Sequence, residues 1–470
     1  MDVVVIGAGP TGLTLAHELA LGGAEVVVVE KLTERMEQTK GGTLQPRTSE
    51  LLDARGLLDA MLEWKFDRAA VGGHFAGLPV PLDCTPWQTR QPFPIGIPQW
   101  RIEEVLEAAA TARGARVLRG HDVTAVRSDD TGVTVTAGAT ELRARYAVAC
   151  DGAHSTVRKL LDVPFPGRPG TYRAILTDVR LSAVSDLVPT RAGHMSTMTR
   201  TTADAWAMLV PIGGDRYRFT FGKLDDSEPD LSAEAVQEAL TAVYGEPTTL
   251  AEILTSSRFS DATRQLENYR HGRVFFAGDA AHIHGPLGGQ GLNIGVQDAF
   301  NLGWKLAATL AGAAEPLLDT YHAERHPKAA RVLHHTSAQR VFATPNVTED
   351  LAALREIFTD LMRLPDTNRH LAGMMSGLDD PARLPDLDLV TADGPTRVAE
   401  LLRAGRAVLL DFTGNVELPL GWAEHVDLVR AKADTTLPAV LLRPDSAVAW
   451  CGDTPLEPAL RETFHRSLGA

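Results

Sequence analysis

An α/β fold assembled from more than one domain is what three stretches of this 470-residue chain predict. The chain starts with strand, turn, helix and strand in DVVVIGAGPTGLTLAHELALGGAEVVVVE, from Asp2 to Glu30. A second stretch, RVFFAGDAAHIHGPLGGQGLN from Arg273 to Asn293, reads as a buried strand, a glycine-rich loop and a helix start. Between them, residues 171–262 take on a strand texture in TYRAILTDVRL, GHMSTMTR, AWAMLVPIG and RYRFTFGK. That order points to a sheet inserted between the pieces of a nucleotide-binding core.

In the opening stretch, Gly7-Ala8-Gly9-Pro10-Thr11-Gly12 is a G-x-G-x-x-G directly after an apolar strand and opening a helix. The first glycine allows the tight turn, the second admits a pyrophosphate, and the third lets helix pack on strand. Leu13, Ala16 and Ala20 share one helical face, and Gly22-Gly23 supplies the stop. Glu30 ends the second strand, placed to accept from adenosine ribose hydroxyls; an acid there favours an unphosphorylated ribose, as in FAD or NAD. The glycine motif alone is weak evidence. With strand, helix, second strand and acid in place, it specifies a Rossmann-like dinucleotide site.

Val274 to Ala277 form a short apolar run stopped by turn residues, which is how a fully buried strand looks. Asp279 then stands at the strand's carboxyl end, where α/β folds bind ligands, and suits a sugar or polyol hydroxyl. Gly288, Gly289 and Gly291 let backbone N–H groups approach a ligand, and Asn293 opens the following helix, whose start favours an anion. A reduced flavin, with negative charge at the N1 edge of its ring, needs such a helix start. A tight strand-to-helix turn without a ligand is the alternative reading.

Hydrophobic content of 44% and charged content of 23% are those of a soluble globular protein, long enough for two or three domains. The net charge of −14 argues against nucleic acid or anionic membrane as partners, and no apolar run approaches membrane-span length. The N-terminus enters a strand at once, leaving no room for a signal peptide. Cys84, Cys150 and Cys451 are scattered and odd in number, so no disulfide framework is expected and a reducing, cytoplasmic location follows.

In the rest of the chain, Thr48 is a cap for a helix with Leu51, Leu52 and Leu58 apolar, broken at Arg55-Gly56. Lys40 and Arg47, in the polar segment before it, could reach pyrophosphate or ribityl oxygens, or be ordinary surface charge. Residues 71–97, rich in Gly, Pro and aromatics, read as short strands and loops. Gln99, Arg101 and Glu103 lie on a helix with Ile102, Val105, Leu106 and Ala109 as its apolar stripe. Residues 115–150 look like an antiparallel ribbon from Val123 through Val135 to Tyr146, running into Asp151-Gly152, with Ser155 and Arg158 starting a helix. Gly213-Gly214-Asp215 joins two strands as a hairpin. Beyond Asn293, a helix with Val296, Phe300, Leu306 and Leu310 is bounded by Gly312. His322 and His326 are four apart but no third ligand is evident, and His282 and His284 are equally unsupported, so no metal is expected. Leu364 to about Gly394 reads as a Pro/Gly/Asp-rich connection. AVLLDF (407–412), HVDLVRA (425–431) and AVLLRPDSAVAW (439–450) are strands of a small α/β appendage, the last turning around Pro444-Asp445.

GAGPTG with Glu30, CDGAHSTVR (150–158) and AGDAAHIHGPLGGQGLN (277–293), in this order, resemble the FAD-dependent aromatic hydroxylases of the p-hydroxybenzoate hydroxylase type. The nearest likeness is to the bacterial branch acting on aromatic polyketides and rifamycin-like antibiotics. It covers nearly the whole chain, extending to YHAERHP (321–327), RHLAGMMSGL (369–378) and a thioredoxin-like C-terminal domain. With that architecture, residues 1–75, 98–168 and 263–375 form a discontinuous FAD-binding domain. Residues 76–97 and 169–262 form a substrate-binding sheet domain, and 390–470 the thioredoxin-like domain without C-x-x-C.

By position, the resemblance implies that Gly7, Gly9 and Gly12 hold the FAD pyrophosphate, with Thr11 beside them, and Glu30 and Lys31 the adenosine ribose. Gln99 reaches the ribityl-pyrophosphate region, and the Val123 backbone and Thr156 side chain lie near the adenine. Asp279 binds ribityl hydroxyls, while Pro286, Gly289, Gly291, Leu292 and Asn293 follow the isoalloxazine. Asp151 and Arg158 are linked with both FAD and NADPH. Three departures stand out. Lys40 replaces an Arg usual in near relatives, and Lys lacks the planar fork for bidentate contacts. No separate NAD(P) fingerprint exists. The tail without C-x-x-C is structural or oligomeric rather than redox-active, which makes a homodimer the candidate assembly.

The activity implied is that of a flavoprotein monooxygenase: NADPH reduces FAD, oxygen gives the C4a-hydroperoxide, and one oxygen atom passes to a bulky, electron-rich polyketide. The protein's task is positioning, stabilising charge at the flavin N1 edge and excluding water, so no catalytic residue is assigned. His74, Arg191, His194 and Met198 are candidates for the substrate wall. A second reading is a redox-neutral cyclase of the [4+2] type that keeps FAD as a scaffold, which Lys40 and the KGGTLQPR stretch favour. A flavin-binding protein without catalysis is a third. Hydroxylation and Baeyer–Villiger insertion are not separated by sequence.

Overall fold

Unbroken runs of β-branched residues, flanked by turn glycines, place a parallel sheet at the centre of the molecule. The computed structural model describes residues 1–37, 41–67, 71–171, 173–224, 227, 229–344, 347–452 and 454–466. Val3–Ile6 pairs in parallel with Val26–Glu30 on one side and Tyr146–Ala149 on the other. Arg116–Arg119 extends the first flank and Val274–Phe276 the second, both parallel, and Arg270–His271 closes that edge antiparallel. Strands covered on both faces carry no polar alternation, and Val3, Val4, Val5, Val27 and Val28 are wholly buried. The helix Pro10–Leu21 packs between the helices Gln99–Ala112 and Gly291–Leu310.

Residues 116–119 and 146–149 therefore belong to the central sheet. The antiparallel ribbon is confined to Val123–Asp129, Gly132–Ala137 and Thr140–Ala144. Alternation marks a half-buried strand without naming its neighbour, which is why the two were merged in the reading of the sequence. The expected cap at Thr48 is also corrected. The helix is Pro46–Asp53, started by a proline at its first position, so Thr48 lies inside it. Leu58 belongs to a separate helix, Leu58–Leu62, beyond Gly56 at φ +69°.

The inserted sheet is antiparallel, in the order Thr199–Thr201, Ala205–Gly213, Arg216–Lys223, Arg173–Ala183, Thr249–Ser260. Two elements differ from expectation. Met195–Met198 is a helical turn ahead of the short strand. Ala233–Tyr244 is a helix, capped where Ser232 Oγ accepts from Ala235 N at 3.3 Å. It covers one face of the sheet, Val236, Leu240 and Tyr244 packing on Leu209, Phe219 and Phe221. The opposite face is turned to the parallel-sheet core.

Residues 76–97 add no strand to that sheet. Phe75, Leu78, Leu82 and Cys84 pack instead on Met362, Leu371 and Met375. The stretch read as a connection after Leu364 holds a helix, Pro365–Ser376, ended by Gly377 at φ +76°. In the C-terminal unit the strands run Val426–Arg430, Ala407–Asp411, Ala439–Leu442, Val448–Trp450, the first pair parallel and the rest antiparallel. Arg55 docks it: bonded to Glu18 at 2.8 and 2.7 Å, the guanidinium also donates to the Leu402 and Pro444 carbonyls, each at 2.7 Å. Among the described residues, no helix is long and apolar enough to cross a membrane.

Candidate active site

The parallel sheet, the inserted sheet and the helix Asp319–Ala343 border a cavity of about 1960 Å³. Pockets for one small ligand span roughly 300–1,000 Å³, so this one has room for a dinucleotide and a second molecule. Gly7, Gly9, Thr11, Glu30, Lys31, Gln99, Val123, Asp151, Thr156, Asp279, Pro286, Gly289, Gly291 and Leu292 all line it. Sequence-separated candidates are thus brought to one surface.

The three glycines divide the work by space. A Cβ on Gly7, at φ +106°, meets the Cys150 carbonyl oxygen at 2.5 Å, and one on Gly12 meets the Gly7 oxygen at 2.0 Å. A Cβ on Gly9 meets nothing within 4 Å, because that side opens into the cavity. The helix beginning at Pro10 has no side-chain cap, so its first-turn N–H groups face the space beyond Gly9, as an anion site requires. The Glu30 carboxylate accepts from Ala8 N at 2.8 Å and Leu32 N at 3.0 Å, which locks it against the turn while lone pairs remain for hydroxyls. Asp151 accepts from Val157 N at 3.0 Å through Oδ2, and its buried Oδ1 has no hydrogen-bond partner. Open space at Gly9, an uncapped helix and an unfilled carboxylate oxygen are what a bound dinucleotide would complete. These residues fit FAD.

Gln99 works as a brace. Its Oε1 accepts from Gly41 N at 2.8 Å and its Nε2 donates to Glu103 Oε1 at 2.8 Å. Burial pushes the Glu103 carboxyl up to about 7, against the opposing pull of Gln99, Arg35 and Arg119.

Behind the second glycine loop lies a buried charge cluster. Asp298, wholly buried on the helix Gly291–Leu310, accepts from Gly278 N at 3.1 Å and Arg325 Nε at 2.7 Å, and bonds His282 Nε2 at 2.7 Å. Burial alone would raise this carboxyl, but Arg325 and His282 outweigh it and hold it below its usual range. The anchored Gly278 leaves Asp279 exposed towards the cavity. Gly291 and Leu292 precede the first helical bond, Ile294 N to Gln290 O at 2.9 Å, so their N–H groups are available to a ligand. Gly288, at φ +78°, makes the preceding reversal. His284 bonds the Gly285 carbonyl through Nδ1 at 2.6 Å, and burial lowers its basicity.

Several candidates lie elsewhere. Arg47 does not line the cavity: because its helix begins at Pro46, Arg47 sits in the first turn and reaches Glu50 at 3.2 Å and Ser446 Oγ at 2.8 Å. Lys40 falls outside the described residues. Asn293 is a buried brace rather than a wall, donating to Thr43 O at 2.8 Å and Gly289 O at 2.7 Å and accepting from Gln45 N at 2.7 Å. Gly12 lies behind Gly7. Of the substrate-wall candidates His74 lines the cavity. Arg191 pairs with Asp67 on the surface at 2.8 Å, and His194 and Met198 are buried beside the lining residues Met195 and Ser196. Sequence reasoning passed over Trp206, Met208, Arg218 and Thr220, which line the cavity from the inserted sheet. Alternation in Tyr217-Arg218-Phe219-Thr220-Phe221 sets Arg218 and Thr220 on one face of their strand; no comparable signal marks Trp206 and Met208.

A Rossmann-like core with a dinucleotide cradle, continuous with a chamber walled by an inserted sheet, defines a dinucleotide-binding enzyme by class. Comparison with known proteins narrows this. The family described as FAD binding domain matches residues 1–336, and the aromatic-ring hydroxylase C-terminal family matches 381–470. The chain is 43% identical to a 12-dehydrotetracycline 5-monooxygenase/anhydrotetracycline 6-monooxygenase of Streptomyces rimosus subsp. rimosus, over 98% of each chain. A rifampicin monooxygenase of Streptomyces venezuelae is 41% identical over 96% of each. The solved anhydrotetracycline hydroxylase from Streptomyces rimosus superposes with a TM-score of 0.89 at 41% identity, over 99% of each chain. A dialkyldecalin synthase of Streptomyces rugosporus is also similar, 38% identical over 98% of both. The chain belongs to the FAD-dependent aromatic-ring hydroxylases, and it is a flavoprotein monooxygenase.

Proposed function

We propose that this monooxygenase takes NADPH as reductant and inserts one oxygen atom into a bulky aromatic polyketide. The observation that carries the substrate class is the chamber. The dinucleotide cradle leads into a space walled by Leu176, Trp206, Met208 and Phe259 of the inserted sheet and Phe342 of the long helix, broad enough for several fused rings. Relatives named for tetracycline and rifampicin substrates support the same class.

When bound, FAD would supply the redox chemistry of hydride acceptance and dioxygen activation. The chain's own residues do the rest. First-turn N–H groups beyond Gly9 hold pyrophosphate, and Glu30 and Asp279 accept from ribose and ribityl hydroxyls. The helix start at Gly291 and Leu292 would offer N–H donors to the negative charge of a reduced flavin. The apolar wall excludes water, which protects the activated oxygen until substrate meets it.

The test is a visible spectrum of the purified protein, followed without oxygen as NADPH and anhydrotetracycline are added. Rapid bleaching of the flavin band, then a product heavier by one oxygen atom in air, is the expected result. A second reading, the redox-neutral cyclase with FAD as scaffold, is favoured by the likeness to the dialkyldecalin synthase. A flavin that stays oxidised with every polycyclic phenol tested, yet responds to dithionite, would move the assignment there.

A further inference from the structure

Arg218 lies in the inserted sheet, in the strand Arg216–Lys223, and lines the cavity. Directly opposite on the neighbouring strand is Asp178. The two form a bidentate pair, Nε to Oδ1 at 3.0 Å and Nη2 to Oδ2 at 3.1 Å. Val179 and Phe219, next in each strand, belong to the apolar cluster on the helix-covered face. Successive strand residues alternate faces, so Arg218 and Asp178 both turn to the cavity side. The carboxylate side chain is only 4% exposed and the guanidinium side chain 13%.

An ion pair buried this far adds little net stability, because desolvating two charges offsets most of their attraction, and a well-packed apolar pair would serve as well. What it supplies is a cation with a fixed orientation. The fork spends Nε and Nη2 on Asp178, and neither bond uses Nη1, whose two N–H groups lie beyond the clamp. Leu176, Met208 and Thr220 are fellow lining residues, and Arg173 and Arg258 line the cavity farther along the same sheet. Among the described lining residues from the five strands there is no carboxylate, although the chain carries a net charge of −14. The lining carboxylates Asp261 and Glu356 stand outside these strands.

We propose that Arg218, clamped by Asp178, is the specificity-determining residue of the chamber, and that its Nη1 receives an anionic oxygen of the substrate. The ligand chemistry is an ionised phenol or enolate on a fused-ring skeleton. This rests on the reading that a polycyclic aromatic occupies the chamber.

The test uses the FAD-loaded enzyme and two probes with the same ring system. Alizarin ionises with a change of colour, and its dimethyl ether cannot ionise. The wild type is expected to bind alizarin about ten- to a hundredfold more tightly than the ether, the range for a hydrogen bond to a charged group. Bound dye should ionise at lower pH than free dye. Arg218→Met alone strands a buried carboxylate, so the paired replacement Arg218→Met with Asp178→Leu is the informative variant, with folding checked by its flavin content. It should lose the preference and the colour shift while binding the ether within about threefold of wild type, a split that a general loss of packing does not produce. Arg218→Lys keeps the charge without the fork and should retain only part of the preference. A paired variant that still prefers ionised dye overturns the proposal. Equal binding of both probes by the wild type also overturns it, while leaving a polycyclic chamber standing. Binding of neither removes that reading and the proposal together.

Discussion

Gly9 and Gly12 sit three residues apart in one motif, and substitution of each should report on a different property. A methyl at Gly9 enters open cavity, so Gly9→Ala is expected to leave apoprotein stability within about 0.5 kcal/mol while weakening FAD binding. Gly12→Ala forces a Cβ against the Gly7 carbonyl, and overpacking of that kind costs about 1–3 kcal/mol before any ligand binds. Thermal unfolding of the two apoproteins beside FAD titrations separates the cases. Glu103 offers a pH test beside the same cradle. Its carboxyl is pushed from 4.5 up to about 7 by burial, so the folded state holds a proton that the unfolded chain has already released. Stability therefore falls as pH rises between those values, by about 3 kcal/mol in all, and levels off above them. Glu103→Gln keeps the acceptor for Gln99 and should remove most of that slope. Apoprotein melting curves at pH 5 and pH 8 check it: wild type and variant should differ more at the higher pH.

At the scale of elements, the loop that presents Asp279 is held from behind by two helices. Asp298 on one ties the Gly278 N–H and His282 to Arg325 on the other, all of it out of solvent. Asp298→Ala strands a buried guanidinium, a loss of about 3–5 kcal/mol, and releases the turn that aims Asp279. FAD affinity should fall with stability, although residue 298 does not line the cavity. A variant that unfolds more easily but binds FAD with unchanged affinity would show that Asp279 does not depend on this anchor. The inserted sheet shows the same division of labour. Its rear face is closed by Ala233–Tyr244, leaving its front face to line the cavity.

Across the whole molecule, the C-terminal unit is docked by arginines set around an apolar seam, in which Trp304, Ala313 and Leu317 pack on Ala407, Leu409, Trp422 and Phe464. Arg55 reaches both Leu402 and Pro444 from its pair with Glu18, Arg383 bonds Glu50, and Arg443 bonds Glu324. The Arg55 and Glu18 side chains are 1% and 2% exposed. Arg55→Met should cost about 3–5 kcal/mol by leaving Glu18 buried and half-paired, whereas Arg180→Met, at an exposed pair with Glu252, should cost under about 1 kcal/mol. Denaturant titration of both variants tests the contrast. Burial would raise the Glu18 carboxyl, but Arg55 and His17 hold it below its usual value. The stability it contributes is present above the ordinary carboxylate pKa and is lost as pH falls through the depressed one. The difference between wild type and Arg55→Met should accordingly shrink in acid.

Local rules were enough for the nucleotide cradle. Gly7, Gly9, Gly12 and Glu30 follow one strand and one turn, so chain neighbours impose their geometry, and the same holds for the run from Val274 to Asp279. The hairpin at Gly213-Gly214-Asp215 and the turn at Pro444-Asp445 were legible for that reason too. Contacts between distant segments were not. Nothing in the spacing of Arg47 says that it faces Ser446, some 400 residues away, or that Asn293 reaches back to Thr43 and Gln45. Strand alternation in residues 217–221 is local and sets Arg218 on the polar face, but which partner sheet, helix or cavity that face meets depends on how the layers stack. Sequence alone determined the glycine turns and helix starts that border the cavity, because backbone conformation is short-range. Tertiary structure decided the substrate chamber and the docking of the C-terminal unit, because burial and ion pairing arise only when segments remote in the chain share one space.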